Sequence, residues 1–102
     1  MKCGLIVLNY NDFNTTEKLL NAIKNYDALD KIVVVDNKSP DGSFEKLLKF
    51  QSDKISVIQS PKNGGYSYGN NFGTKYLLSN SQGGGMILLA LRTLMYILIM
   101  IL

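Results

Sequence analysis

The chain has 102 residues, 46% hydrophobic and 19% charged, a balance that suits one small globular domain and excludes a disordered tail. Its net charge of +3 comes from scattered lysines without a basic block or stripe, so no nucleic-acid partner is expected. Histidine is absent, which removes the commonest general base and metal ligand. The single cysteine, Cys3, excludes an internal disulfide and reads as a small buried strand residue.

The first element is the short apolar run Leu5–Leu8, as expected of a strand buried on both faces. Asn9, Asn11 and Asp12 interrupt the run before a secretory h-region can form, so the expected address is the cytosol. Asn14 with Glu17 three residues later has the pattern of a helix start. Leu19, Leu20, Ile23 and Tyr26 then recur at helical spacing, which predicts a helix over Thr15 to Asn25. Lys31-Ile32-Val33-Val34-Val35-Asp36 is the clearest strand, with β-branched residues in a row closed by an acid. Asn37 to Gly42 is loop by composition. Ser43 can cap a second helix with Phe44, Leu47 and Leu48 inward. Ile55–Ile58 reads as a third strand, Ser60 to Gly65 as a turn-rich loop, and Asn70 to Leu78 as a third helix with Phe72, Tyr76 and Leu77 inward.

Strand alternating with helix predicts a parallel sheet covered by helices. Ligands of such sheets bind where loops leave the carboxyl ends of the strands, and all three polar loops are of that kind. In the first, Asn9, Tyr10 and Asn11 offer amides and a flat aromatic face; a plain turn with an aromatic lid is the alternative. In the second, Asp36 ends a buried strand, a costly place for an unpaired charge. There it can accept from a base N–H or ribose hydroxyls, with Asn37, Ser39 and Asp41 beside it. The plainer alternative is that Asp36 and Asp41 cap local backbone amides, and for Asp41 that alternative is preferred. The third loop, Pro61 to Gly73, lacks both the P-loop ending and the dinucleotide-binding spacing.

Three motifs in this order, I-V-L-N-Y-N, I-V-V-V-D-N-x-S-x-D-G-S and N-G-G-Y-S-Y-G-N-N-F-G, resemble the opening of family 2 glycosyltransferases, with a rhamnosyltransferase-like flavour, over about Lys2 to Ser81. The resemblance implies an α/β fold, a partial GT-A (Rossmann-like) parallel sheet with helices on both faces, truncated after about the fourth strand. It implies a site for a UDP- or dTDP-linked nucleotide-diphosphate sugar, built from Asn9, Tyr10, Asn11, Asp36, Asn37, Ser39, Asn63, Gly64, Gly65 and Asn70. It also implies a glycan or polysaccharide acceptor, Mg²⁺ or Mn²⁺ held by an Asp-x-Asp-like motif after the fourth strand, and a later carboxylate as base. Neither acidic element follows in this sequence, so residues 1–82 read as a nucleotide-sugar-binding half and 83–102 as an apolar tail, and the chain itself is expected to bind nucleotide without turnover.

Three readings compete for that tail, which has no acid from Met86 to Leu102. One is a membrane anchor, short of the ~20 apolar residues a span needs and interrupted by Arg92. Another is a fourth strand, Met86 to Leu91. The third is a reading-frame slip: Arg92-Thr93-Leu94-Met95-Tyr96 can be written CGA ACC CTG ATG TAT, which from its third base spells Asn-Pro-Asp-Val, a form of the missing metal motif. The DNA sequence decides that reading. Two other function classes remain: a non-catalytic nucleotide-binding or membrane-tethered module at the inner face of the membrane, and a receiver-like signalling domain. Asn9-Tyr10-Asn11 fits the latter poorly, because it needs an acidic pair there.

Overall fold

Four consecutive β-branched residues leave the chain little choice but an extended conformation, and Lys31–Asp36 forms a central strand (β2) with all but its first residue buried. The computed structural model describes residues 2–79, 86–92 and 96–101. In chain order these form β1 (Lys2–Asn9), α1 (Phe13–Ile23), β2, α2 (Ser43–Leu47) with a 3₁₀ turn at Leu48–Phe50, β3 (Ile55–Gln59), α3 (Gly65–Ser79), β4 (Met86–Arg92) and β5 (Tyr96–Ile101). The sheet order is β3-β2-β1-β4-β5. The first four strands are parallel and β5 is antiparallel to β4. After β3 the chain crosses back to lay β4 on the far side of β1, so winding reverses between β1 and β4.

Side chains alternate across a strand, and both faces are covered. Leu5, Val7, Ile32, Val34, Ile55 and Val57 join Leu20, Ile23 and Leu47 in one core under α1 and α2. Ile6, Leu8, Val33 and Val35 face the other way, onto Leu77 with Phe72 and Tyr76 of α3. The expected α/β fold with helices on both faces is the observed one. Phe72, Tyr76 and Leu77 form the inner face of α3 as their spacing predicts.

Several boundaries move. The first helix begins at Phe13 rather than Thr15, and Asn14 does not cap it: Asp12 holds the cap position without a side-chain bond, and Thr16 N–H closes on Asp12 O at 3.1 Å. Phe13 packs on the core and the Thr16 hydroxyl donates to Asn9 Oδ1 at 2.7 Å, contacts that hold the early turn. Ser43 is the first residue of α2 rather than its cap, and Gly42 takes the cap position with φ 80°. Leu48 is 43% exposed, because the 3₁₀ turn rotates it outward and brings Phe50 in. The third helix starts at Gly65, five residues before Asn70, so the glycine-rich loop is largely helical. Glycine costs helix propensity; here it is needed for close packing, since a Cβ on Gly73 would lie 2.8 Å from Val35 Cγ2 and 2.9 Å from Ile6 Cγ2.

The tail enters the sheet. Met86–Arg92 is a strand in parallel register with β1, from Lys2↔Met86 to Leu8↔Arg92, and Tyr96–Ile101 adds a fifth strand that the sequence reading did not place. Among the described residues no helix is long and apolar enough to cross a membrane. The expected division at 82–83 lies outside the described residues, as does the Cys3 side chain.

Candidate functional site

Register places three polar residues in one row. Asn9 pairs with Asp36 at the ends of β1 and β2, and Asp36 with Gln59 at the end of β3. By alternation all three follow Leu5/Val7, Ile32/Val34 and Ile55/Val57, so they sit on the α1/α2 side of the carboxyl edge. Asn9 and Asp36 are both 0% exposed. Buried polar groups require partners, and these have them. Asn9 Nδ2 donates to Asp36 Oδ1 at 2.9 Å, while its Oδ1 accepts from Thr16. Asp36 Oδ1 also accepts from Ser39 Oγ at 2.6 Å. Asp36 Oδ2 accepts from Ser39 N–H at 2.9 Å and from Gln59 Nε2 at 3.2 Å. A carboxylate offers about four acceptor positions, so protein donors fill this one.

The same cluster ties the first loop to the second. Asn11 N–H donates to Ser39 Oγ at 3.0 Å, and Asn37 N–H extends the ladder to Asn9 O at 2.9 Å. Asn11 and Lys38 hold φ of 52° and 61°, left-handed conformations uncommon outside glycine. Both residues are exposed, as is Tyr10 at 44%. The loops thus have two tiers: Asn9, Asp36 and Asn37 buried beneath, Tyr10, Asn11, Lys38 and half-buried Ser39 above.

On the other side of the edge, Asn37 joins the second loop to the third. Its Nδ2 donates to Gly65 O at 3.1 Å and its Oδ1 accepts from Ser60 Oγ at 3.0 Å. Asn63 Oδ1 accepts from Gly65 N–H at 3.3 Å, a local turn at the start of α3, and Gly64 packs tightly against the Tyr68 side chain. Asn70 Oδ1 is buried with no hydrogen-bond partner among the described residues. The three loops expected to converge therefore meet at one edge, although Asp36 and Asn37 face opposite sides of it. Thr16, Gln59 and Ser60 also belong to the cluster and were passed over in the sequence. Gln59 could have been found from strand register alone, since it stands opposite Asp36.

Asp41 takes the plainer role. Its Oδ1 accepts from Ser43 N–H at 2.9 Å and from the Ser43 hydroxyl, and the side-chain bond from Ser43 is the main cause holding its carboxyl below the usual range. A lowered folded pKa means the bond stabilises above the unfolded value and is lost as pH falls through the folded one. In urea titrations between pH 5 and pH 2, Asp41→Asn is expected to lose less stability than the parent on acidification, by a small margin since Asp41 is exposed. An equal loss would show that the turn does not depend on the charge.

The described residues do not fit a divalent metal. No group of three His, Cys, Asp or Glu among them could hold one, and the buried Asp36 carboxylate faces only N–H and O–H donors, the wrong partners for a cation.

The profile of "Glycosyl transferase family 2" matches residues 5–80. The chain belongs to glycosyl transferase family 2. No curated protein sequence matches it. Among solved structures it is similar to the S. aureus TarS fragment 1–349, at 26% identity and TM-score 0.70, covering 91% of this chain and 27% of that one. It is also similar to the mannosyltransferase PcManGT from Pyrobaculum calidifontis, solved with GDP-Man and Mn²⁺, at 21% identity and TM-score 0.67, covering 90% of this chain and 27% of that one. The chain thus spans about a quarter of the length of those relatives, and its sheet is the GT-A sheet.

Proposed function

We propose that the loops at the carboxyl edge of β1, β2 and β3 hold the nucleoside of a nucleotide-diphosphate sugar, UDP- or dTDP-linked, as residues 1–82 of a glycosyltransferase whose full site transfers a hexosyl or rhamnosyl unit to a glycan acceptor in the cytosol, at the inner face of the membrane. The observation that carries this is the joining of three loops at one edge by Asn9, Asp36, Ser39 and Asn37. Tyr10 is exposed beside them, a flat face on which a base can stack. Asn11 and Ser39 on its loop side, and Asn63, Gly64 and Gly65 at the start of α3 across the edge, supply polar side chains and backbone groups. Asn70 Oδ1, without a partner among the described residues, is an acceptor that a ligand hydroxyl would satisfy. The neighbour solved with GDP-Man lends the donor class its support.

With no metal-binding cluster among the described residues and no acid after Asp53 in the sequence, this chain alone binds and does not turn over. Titration calorimetry with UDP, dTDP and their sugars, with and without Mn²⁺, tests both statements. Binding is expected near ~0.1–1 mM, or about 4–5.5 kcal/mol, and unchanged by the metal. No heat with any nucleotide would end the binding reading; released sugar or a new glycosidic bond would end the inactivity reading.

A further inference from the structure

The four donors on the Asp36 carboxyl group are not equally committed. The Ser39 N–H comes from three residues away, so that bond forms as the turn forms. The Ser39 hydroxyl makes the shortest contact, 2.6 Å, and is itself held by Asn11 N–H. Asn9 is fully buried and fixed at its other side-chain atom by Thr16. Gln59 differs on every count. Its Nε2 makes the longest of the four contacts, 3.2 Å, on a flexible side chain that is only half-buried. Among the described residues this is the one hydrogen bond its carboxamide makes.

Asp36 has no exposed surface, yet it ends a strand at the edge where loops converge. A ligand can reach its carboxylate only if one donor leaves. Displacing Ser39 would undo the turn, and displacing Asn9 would strand two buried amide atoms. Displacing Gln59 costs one long bond, and its carboxamide can turn outward into water.

We propose that Gln59 is a stand-in donor: its amide occupies the Asp36 oxygen that an N–H or O–H of the bound nucleoside takes, and it swings aside as the nucleoside enters. This rests on the nucleotide-site reading above and adds the residue that closes the site when it is empty. Gln59 keeps the buried carboxylate satisfied until a ligand donor replaces it, and its bond is a penalty that every ligand must first overcome. It is a positioning residue that acts through Asp36.

The test titrates UDP and dTDP into the parent chain and into Gln59→Ala and Gln59→Met, the second keeping the side-chain length without the donor. Both variants are expected to bind about fivefold tighter, the factor that corresponds to one net hydrogen bond of competition. In the parent, the Gln59 side-chain amide resonances are expected to move to solvent-exposed positions on saturation, a change that a merely structural contact would not show. If the parent binds while the variants bind equally or more weakly, or the amide signals stay in place, the stand-in role is overturned and the site reading survives. If neither the parent nor the variants bind either nucleotide, the site reading fails and takes the stand-in with it.

Discussion

Asp36→Ala is expected to lower the unfolding free energy by about 3 kcal/mol, the cost of leaving buried hydrogen-bonding groups without partners, and to weaken UDP and dTDP binding at least about tenfold. The carboxylate is 0% exposed and takes donors from the ends of β1 and β3 and from its own turn. Truncation leaves Asn9 Nδ2 buried without its main acceptor, its remaining contact being Ser39 Oγ at 3.4 Å. The Ser39 and Gln59 donors are only part-buried and regain water, so the penalty is dominated by one orphaned amide plus the lost cross-loop bonds. Asp36→Asn keeps the shape but turns an N–H₂ toward groups that are themselves donors. It is expected to fall between the parent and the alanine variant. Urea unfolding of the three proteins measures this. An alanine variant within about 0.5 kcal/mol of the parent, the range of ordinary surface changes, would show that Asp36 is not the tie between the loops.

Most of the fold could be read from local pattern, because its causes are local. The boundaries of β2 follow from Lys31 to Asp36 without help from any other element. The inner face of α3 follows from spacing, as Phe72, Tyr76 and Leu77 show. What could not be read depends on contacts across the sheet. The early start of α3 runs against the weak helix propensity of Gly65, Gly69 and Gly73, and is imposed by packing on β1 and β2. The two strands of the tail look in sequence like a single apolar run, since nothing local distinguishes a strand buried in a sheet from a short apolar helix. At the site, Asp36 was visible as an acid out of place. The bond from the Ser39 N–H is the local amide capping that the sequence offered as an alternative. The donors Asn9 and Gln59 were not visible, because they stand at the ends of neighbouring strands and only register brings them to it.

Replacing Gly69 of α3 with alanine is expected to destabilise the chain by about 2–3 kcal/mol. An ideal Cβ there would stand 2.4 Å from Asn37 Oδ1, 2.7 Å from Nδ2 and 2.8 Å from Cγ, all inside contact distance. Asn37 has little room to retreat: it is 5% exposed, with its side chain bonded to Gly65 O and Ser60 Oγ and its backbone N–H to Asn9 O. Overpacking of this kind costs about 1–3 kcal/mol, and displacing the Asn37 amide orphans buried partners at about 1–3 kcal/mol more. Alanine returns at most about 1 kcal/mol through better helix propensity, so the clash wins. The cause is separable from a general dislike of substitution in α3. In an Asn37→Ala background the obstructing atoms are gone, and Gly69→Ala should become neutral or slightly stabilising, with the difference appearing as a coupling energy in a double-mutant cycle. Equal costs in both backgrounds would mean that Asn37 is not what the glycine makes room for, and the close joining of α3 to the second loop would need another explanation.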